Sequence, residues 1–305
     1  MKSVFLLMAI TWKVFAQGNP VVDQVMAAVN MRDYASAERM INVVQAQGGV
    51  NPASVVVLSW MARGALANRD YDRAEKYAAD TRNKALALLQ HRTLDAEPDL
   101  PLALGASIEV TAQTLATRGR RSEAVAFLQH ELKTWRTTSI GQRLQKNLHL
   151  LTLEGKPAPA LDMTHYVGPR PVSLAALHGH AVLLFFWAHW CGDCKVEVSI
   201  LQQLNATYGP KGLVLIGPTQ HYGYGAGGQE VPPDVETKWI EENRQKYYGR
   251  VGPMTVPVSE LNLLTYGASS MPTFVLIDKA GIVRLYYPGK MTYEELAPRI
   301  ARLLG

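Results

Sequence analysis

The stretch AVLLFFWAHWCGDCKVE, residues 181–197, constrains this chain more than any other. Its first eight residues are all apolar, and branched and aromatic side chains dominate. Such a run suits a strand covered on both faces rather than one with a wet side. A strand of that kind needs packed layers above and below it, so this region is α/β. Directly after it stand Cys191 and Cys194, the only two cysteines among 305 residues. Two cysteines make no disulfide framework, and a bridge over two intervening residues closes too small a loop to remove much chain entropy. Three readings of the pair remain open: a redox centre, part of a metal site, or an inert structural pair.

A zinc site normally draws on four protein ligands, and there is no second cysteine pair. His189 could offer a third ligand, but Trp190 and the strand direction argue against convergence. The redox reading has a positive reason. A helix is expected from Cys191 to about Tyr208, so Cys191 stands at its start, where unpaired N–H groups and the macrodipole favour a thiolate. Cys191 is then expected at an exposed tip, with Cys194 one turn on and facing inward. In that arrangement the first sulfur can attack a partner disulfide, and the second can resolve the mixed disulfide that results.

The rest of this half alternates. LVLIG (213–217) reads as a strand and residues 235–247 as a helix. TFVLID (273–278) and IVRLYY (282–287) form a hairpin through KAG, and TYEE (292–295) has the form of a capping box opening a last helix. Between them, PTQHYGYGAGGQEVPPD (218–234) is a Gly-rich insertion, expected to be a mobile loop at the rim of a substrate groove. His221, Tyr222 and Tyr224 within it are chemically capable, but GAGG lacks the Lys-Ser/Thr ending of a phosphate loop.

Residues 20 to about 150 are different, with apolar residues returning at three and four as in helices. A phrase recurs there: RDYASAE (32–38), RDYDRAE (69–75) and GRRSEA (119–124), aligning Ala37, Ala74 and Ala124. This is similar to the tetratricopeptide repeat, whose period is about 34, although the spacing here is irregular and an irregular helical bundle is the alternative. A repeat array would offer a groove to a peptide or protein partner. LEGKPAPALDM (153–163) ends the helical periodicity. The expected division is therefore a leader at 1–16, an all-α, TPR-like helical domain at 17–152, and an α/β domain at 153–305. The leader reading rests on Lys2, the apolar stretch Val4–Trp12 and VFA at 14–16, which predict a signal peptide and an exported, periplasmic or similar location. An uncleaved anchor or a first helix are the alternatives. The net charge of +5 is spread without a dense basic stripe, RGRR at 118–121 being the nearest. No nucleic-acid partner is expected.

VLLFFWAHWCGDCKVE, preceded by GKPAPALDM and followed by GASSMPTFVLIDKAGIV, resembles the TlpA/ResA-like branch of the thioredoxin superfamily. These are exported thiol–disulfide oxidoreductases, and the resemblance covers roughly 153–305. It implies a thioredoxin-like fold, Cys191 as attacking cysteine, Cys194 as resolving cysteine, and the two as a redox-active disulfide. It also implies a cis peptide bond before Pro272, which would face the cysteines, and a Met271 backbone offered to an extended substrate. Trp190, Met271 and Pro272 are thus the expected substrate-binding residues. Glu197 matches a glutamate that helps protons move at the cysteines. No cofactor or metal is implied, since the sulfurs carry the electrons. The implied partners are protein thiols or disulfides and a membrane thiol electron donor.

Three positions depart from thioredoxin usage. Asp193 replaces a proline before the second cysteine, Ser199 replaces a helix-kinking proline, and Phe185 stands where a buried acid is usual. A negative charge at Asp193 disfavours a neighbouring thiolate, which points to a reductant. A thiol peroxidase and a helical binding module with a vestigial CxxC are the rival functions.

Overall fold

The computed structural model describes residues 20–305, and the leader expected at 1–16 lies outside the described residues. The described residues divide into two compact units, the first ending at Asn147 and the second running from Leu148 to Gly305.

In the first unit three helical hairpins follow one another: α1 (Pro20–Asn30) with α2 (Tyr34–Gly48), α3 (Pro52–Ala67) with α4 (Tyr71–Leu88), and α5 (Asp99–Thr117) with α6 (Arg121–Trp135). The helix α7 (Gly141–Thr152) comes next in the chain. The first helices of successive hairpins pack on one another, α1 on α3 and α3 on α5. The repeated phrase explains the hairpins. At each turn one residue is left-handed: Arg32 (φ 61°), Arg69 (φ 60°) and Gly119 (φ 79°). The next N–H reaches back five residues, from Asp33 to Ala28, Asp70 to Ala65 and Arg120 to Leu115, each at 2.9 Å. This closes the ending helix in a Schellman turn. Asp33 and Asp70 then cap the next helix, each accepting from the N–H three residues on. Ala37, Ala74 and Ala124 are fully buried, where a larger side chain would hold the paired helices apart. The spacing is irregular because a longer link carrying a short 3-10 turn, Leu94–Ala96, precedes α5, and because α4 and α5 are longer than α2 and α3.

The second unit is built on a four-stranded sheet. Its elements in order are β1 (Tyr166–Val167), β2 (Ala181–Phe186), α8 (Gly192–Val196), α9 (Val198–Tyr208), β3 (Leu213–Ile216), α10 (Pro233–Asn243), β4 (Val256–Pro257), α11 (Glu260–Tyr266), β5 (Thr273–Ile277), β6 (Val283–Pro288) and α12 (Tyr293–Leu304). The sheet order is β3-β2-β5-β6. β2 runs parallel to β3 and antiparallel to β5, which pairs antiparallel with β6.

Because strand side chains alternate, the apolar run of β2 feeds two cores. Leu183 and Phe185 join Leu201, Leu204, Phe274 and Ile300 on one face. Val182, Leu184 and Phe186 join Leu263, Tyr266 and Val275 on the other. This central strand and mixed sheet are the thioredoxin-like arrangement that the resemblance implied. The sequence reading missed α11 and the short ladder of β1 with β4. These segments are too short to show a period. The single helix expected over 191–208 is instead two, with the break at Glu197, and no proline is involved.

Candidate active site

The loop after β2 is fixed from below. Trp187 turns inward, its Nε1–H donating to Gly217 O at 2.9 Å, while Thr219 Oγ1 donates to Trp187 O at 2.7 Å. Cys191 N–H donates to Ala188 O at 3.0 Å, and Cys191 becomes the N-cap of α8. Its Sγ accepts the Cys194 N–H at 3.0 Å. The two sulfurs are joined, with S–S 2.15 Å and Cα–Cα 5.3 Å. Cys194 is fully buried as expected, but Cys191 is only 4% exposed rather than open at a tip. Its sulfur is turned back onto the first turn of its own helix, and Trp190, 46% exposed, holds the outward position instead.

At the break between α8 and α9, Glu197 is 2% exposed. Its Oε2 is buried without a hydrogen-bond partner. Burial pushes its carboxyl up to about 7, against a smaller opposing pull from the Met291 N–H and the Lys290 charge. The hydroxyl of Tyr248 is likewise buried without a partner. Burial and the neighbouring Glu197 hold that phenol well above its ordinary range. The Tyr248 ring stacks obliquely on Trp187 and Phe185, at 4.8 and 6.0 Å. Asp193 pairs with Lys290 at 3.1 Å, both about half exposed. That cation offsets the negative charge expected to act on Cys191.

The Met271–Pro272 peptide bond is cis. β2 and β5 are in register at Phe186 and Thr273, so one step further sets Pro272 opposite Trp187, just before the CxxC loop. Gly289 N–H donates to Pro272 O at 2.8 Å. Met271 packs against the same core cluster that holds both cysteines.

The insertion is not the free loop expected. Glu236, fully buried on α10, accepts the N–H groups of Tyr222 (2.6 Å) and Gly223 (2.9 Å). His221 bonds Thr237 Oγ1 at 2.8 Å, and Tyr224 bridges Glu230. The same Glu236 carboxylate meets the Nε2 of buried His189 at 3.0 Å. Burial lowers the His189 pKa more than Glu236 raises it, so the ring is neutral and donates from Nε2. Tyr222 and Tyr224 stand edge-on to it, at 5.7 and 5.5 Å. The sequence reading did not find this pair. His189 was visible beside the motif, but Glu236 lies 47 residues away with nothing local to link them.

The second unit is similar to known proteins. Residues 155–286 match the family model described as the AhpC/TSA family. The thiol–disulfide oxidoreductase ResA of Bacillus anthracis is 31% identical over 142 residues, covering 47% of this chain and 73% of that protein. The chain belongs to the ResA/DsbE-like thiol–disulfide oxidoreductases of the thioredoxin superfamily. The thiol:disulfide interchange protein DsbE of Pseudomonas aeruginosa is 32% identical over 157 residues, covering 50% of this chain and 78% of its own length. A thioredoxin-family thiol:disulfide interchange protein from Chlorobium tepidum is similar in structure at 22% identity. Its TM-score is 0.38, over 50% of this chain and 98% of that one. This oxidoreductase therefore acts on thiols and disulfides.

Proposed function

We propose that this oxidoreductase is an exported reductant of protein disulfides, working through Cys191 and Cys194. The observation that carries the reading is the Cys191–Cys194 bridge at a helix start with the buried Glu197 one turn beyond. In the reduced protein the Cys191 thiolate attacks one sulfur of a substrate disulfide. The substrate S–S bond breaks, and the departing sulfur takes a proton. Cys194 then attacks Cys191 Sγ, the mixed disulfide breaks, and the second substrate thiol leaves with a second proton. Two electrons and two protons have passed to the substrate, and the enzyme holds the bridge. Glu197 holds or releases a proton near neutral pH, which suits it to serve Cys194. Trp190, Met271 and Pro272 form the substrate side, with an extended segment lying along the Met271 backbone.

The direction is argued from burial. Apolar surroundings disfavour a thiolate, and both cysteines belong to a buried apolar cluster. A disfavoured thiolate makes the dithiol a stronger electron donor. Asp193 adds less than its charge suggests, because Lys290 compensates it. Regeneration then requires a thiol donor, which we assign to the membrane. The N-terminal sequence supports export. No helix among the described residues is long and apolar enough to cross a membrane. In this reading residues 17–152 present partners to the 153–305 domain.

Insulin reduction with dithiothreitol tests the proposal: the wild type should accelerate precipitation and Cys191→Ser should not. Equal rates would refute exchange at this pair. Peroxide consumption by the wild type without insulin reduction would favour the peroxidase reading instead.

A further inference from the structure

Glu236 is an unusual way to hold a loop. A buried carboxylate bonded to a buried imidazole stabilises a fold no better than apolar side chains of similar volume. Its three hydrogen bonds all end on the two segments that flank Trp190: residue 189, just before it in the chain, and residues 222–223 beside it. The outcome is geometric. Tyr222 is held edge-on to Trp190, ring centroids 5.5 Å apart, and Tyr224 lies 6.3 Å beyond it. Three aromatic rings thus adjoin one another beside Cys191. The Trp190 indole is half open to solvent, and the half-buried Tyr222 and Tyr224 back it. Tyr222 packs against both faces of the sheet with its hydroxyl buried.

We propose that His189 and Glu236 are positioning residues that hold Tyr222 and Tyr224 beside Trp190, and that this aromatic shelf selects polypeptide disulfides with an apolar side chain next to the reacting cysteine. The inference rests on the exchange function proposed above and names the substrate class for it. Aromatic rings bury apolar groups over a large area and leave a carboxylate without a partner. Glutathione disulfide has no apolar side chain beside its cysteines, so it gains nothing from the shelf. Partial burial of one leucine on the shelf is worth roughly five- to tenfold in binding.

The test uses the pre-reduced full chain in single turnover. The probes are extended peptides whose one cysteine is in mixed disulfide with glutathione, with Leu or Asp beside that cysteine; glutathione disulfide is the small reference. Each reaction consumes the enzyme dithiol and yields the enzyme disulfide and two substrate thiols. The wild type should favour the Leu peptide over the Asp peptide by five- to tenfold, in half-saturation rather than in maximal rate. Tyr222→Ala should remove that preference and Tyr222→Phe should keep it. Glu236→Gln should act like Tyr222→Ala, because the amide keeps the size but turns an acceptor for Tyr222 or Gly223 into a donor. The CxxC potential, measured against glutathione, should stay put in all three variants. If Glu236→Gln does not fold, the Tyr222→Ala and Tyr222→Phe pair decides. An unchanged Leu/Asp ratio in Tyr222→Ala overturns the inference alone. So does a loss that comes with a shifted potential. A wild type that reduces neither peptide nor glutathione disulfide overturns the exchange function, and this inference with it.

Discussion

Replacing Glu197 with glutamine should remove a large pH dependence from the stability of the oxidised protein. The ordinary glutamate value is 4.5 and burial raises this one to about 7. At about 1.4 kcal/mol for each pH unit, the difference amounts to about 3 kcal/mol. The sign follows from proton counting. Between these two values the folded chain keeps a proton that the unfolded chain has released, so stability falls as pH rises through that window. Below about 4.5 both states are protonated and the penalty is absent. Above about 7 it is present in full, because a carboxylate with one orphan oxygen is then held in the core. Glutamine keeps the shape and the acceptor for the Met291 N–H but cannot ionise. Urea unfolding of wild type and Glu197→Gln, at pH 5 and pH 8 with the disulfide intact, isolates the effect. Other titrating groups cancel in the difference between the two proteins. The variant should gain about 2–3 kcal/mol relative to wild type on going from pH 5 to pH 8, a midpoint shift of about 1 M urea or more. Parallel behaviour within about 0.5 kcal/mol would refute the claim that Glu197 is held as an acid by burial.

Cys194→Ala should accumulate mixed disulfides between Cys191 and substrate proteins, visible on non-reducing gels; their absence would mean that Cys191 does not attack first. Lys290→Ala should change stability by less than about 0.5 kcal/mol, since its pair with Asp193 is half exposed and screened. A larger loss in denaturant titration would show that the pair is structural. Arg69→Gly should stabilise the helical unit by up to about 1 kcal/mol, because a non-glycine residue at φ 60° is strained. Asp70→Ala should destabilise it by about 1 kcal/mol through loss of the helix cap. Both are read from thermal or urea unfolding, and shifts of the opposite sign would contradict the turn described here.

Much of the architecture could be read along the chain because its causes are local. An unbroken apolar run predicts a central strand. A phrase such as RDYDRAE carries its own left-handed turn, cap and close-packed alanine, so Ala37, Ala74 and Ala124 marked the helical hairpins before any coordinates. The CxxC spacing alone brings two sulfurs within bonding reach once a helix starts between them. Sequence by itself therefore determined the helical and α/β halves, the central strand and the place of the cysteine pair after it. Only the tertiary structure decided the surroundings of that pair. Whether Cys191 opens to solvent depends on how Trp190 and the helix start divide the available space. Lys290 reaches Asp193 from a segment 97 residues away. Glu197 looks like any helical glutamate until the layers close over it. Glu236 meets His189 only after the insertion has folded back. Burial and long-range charge are properties of packed surfaces, and residues distant in the chain supply them, so no short stretch of sequence records them.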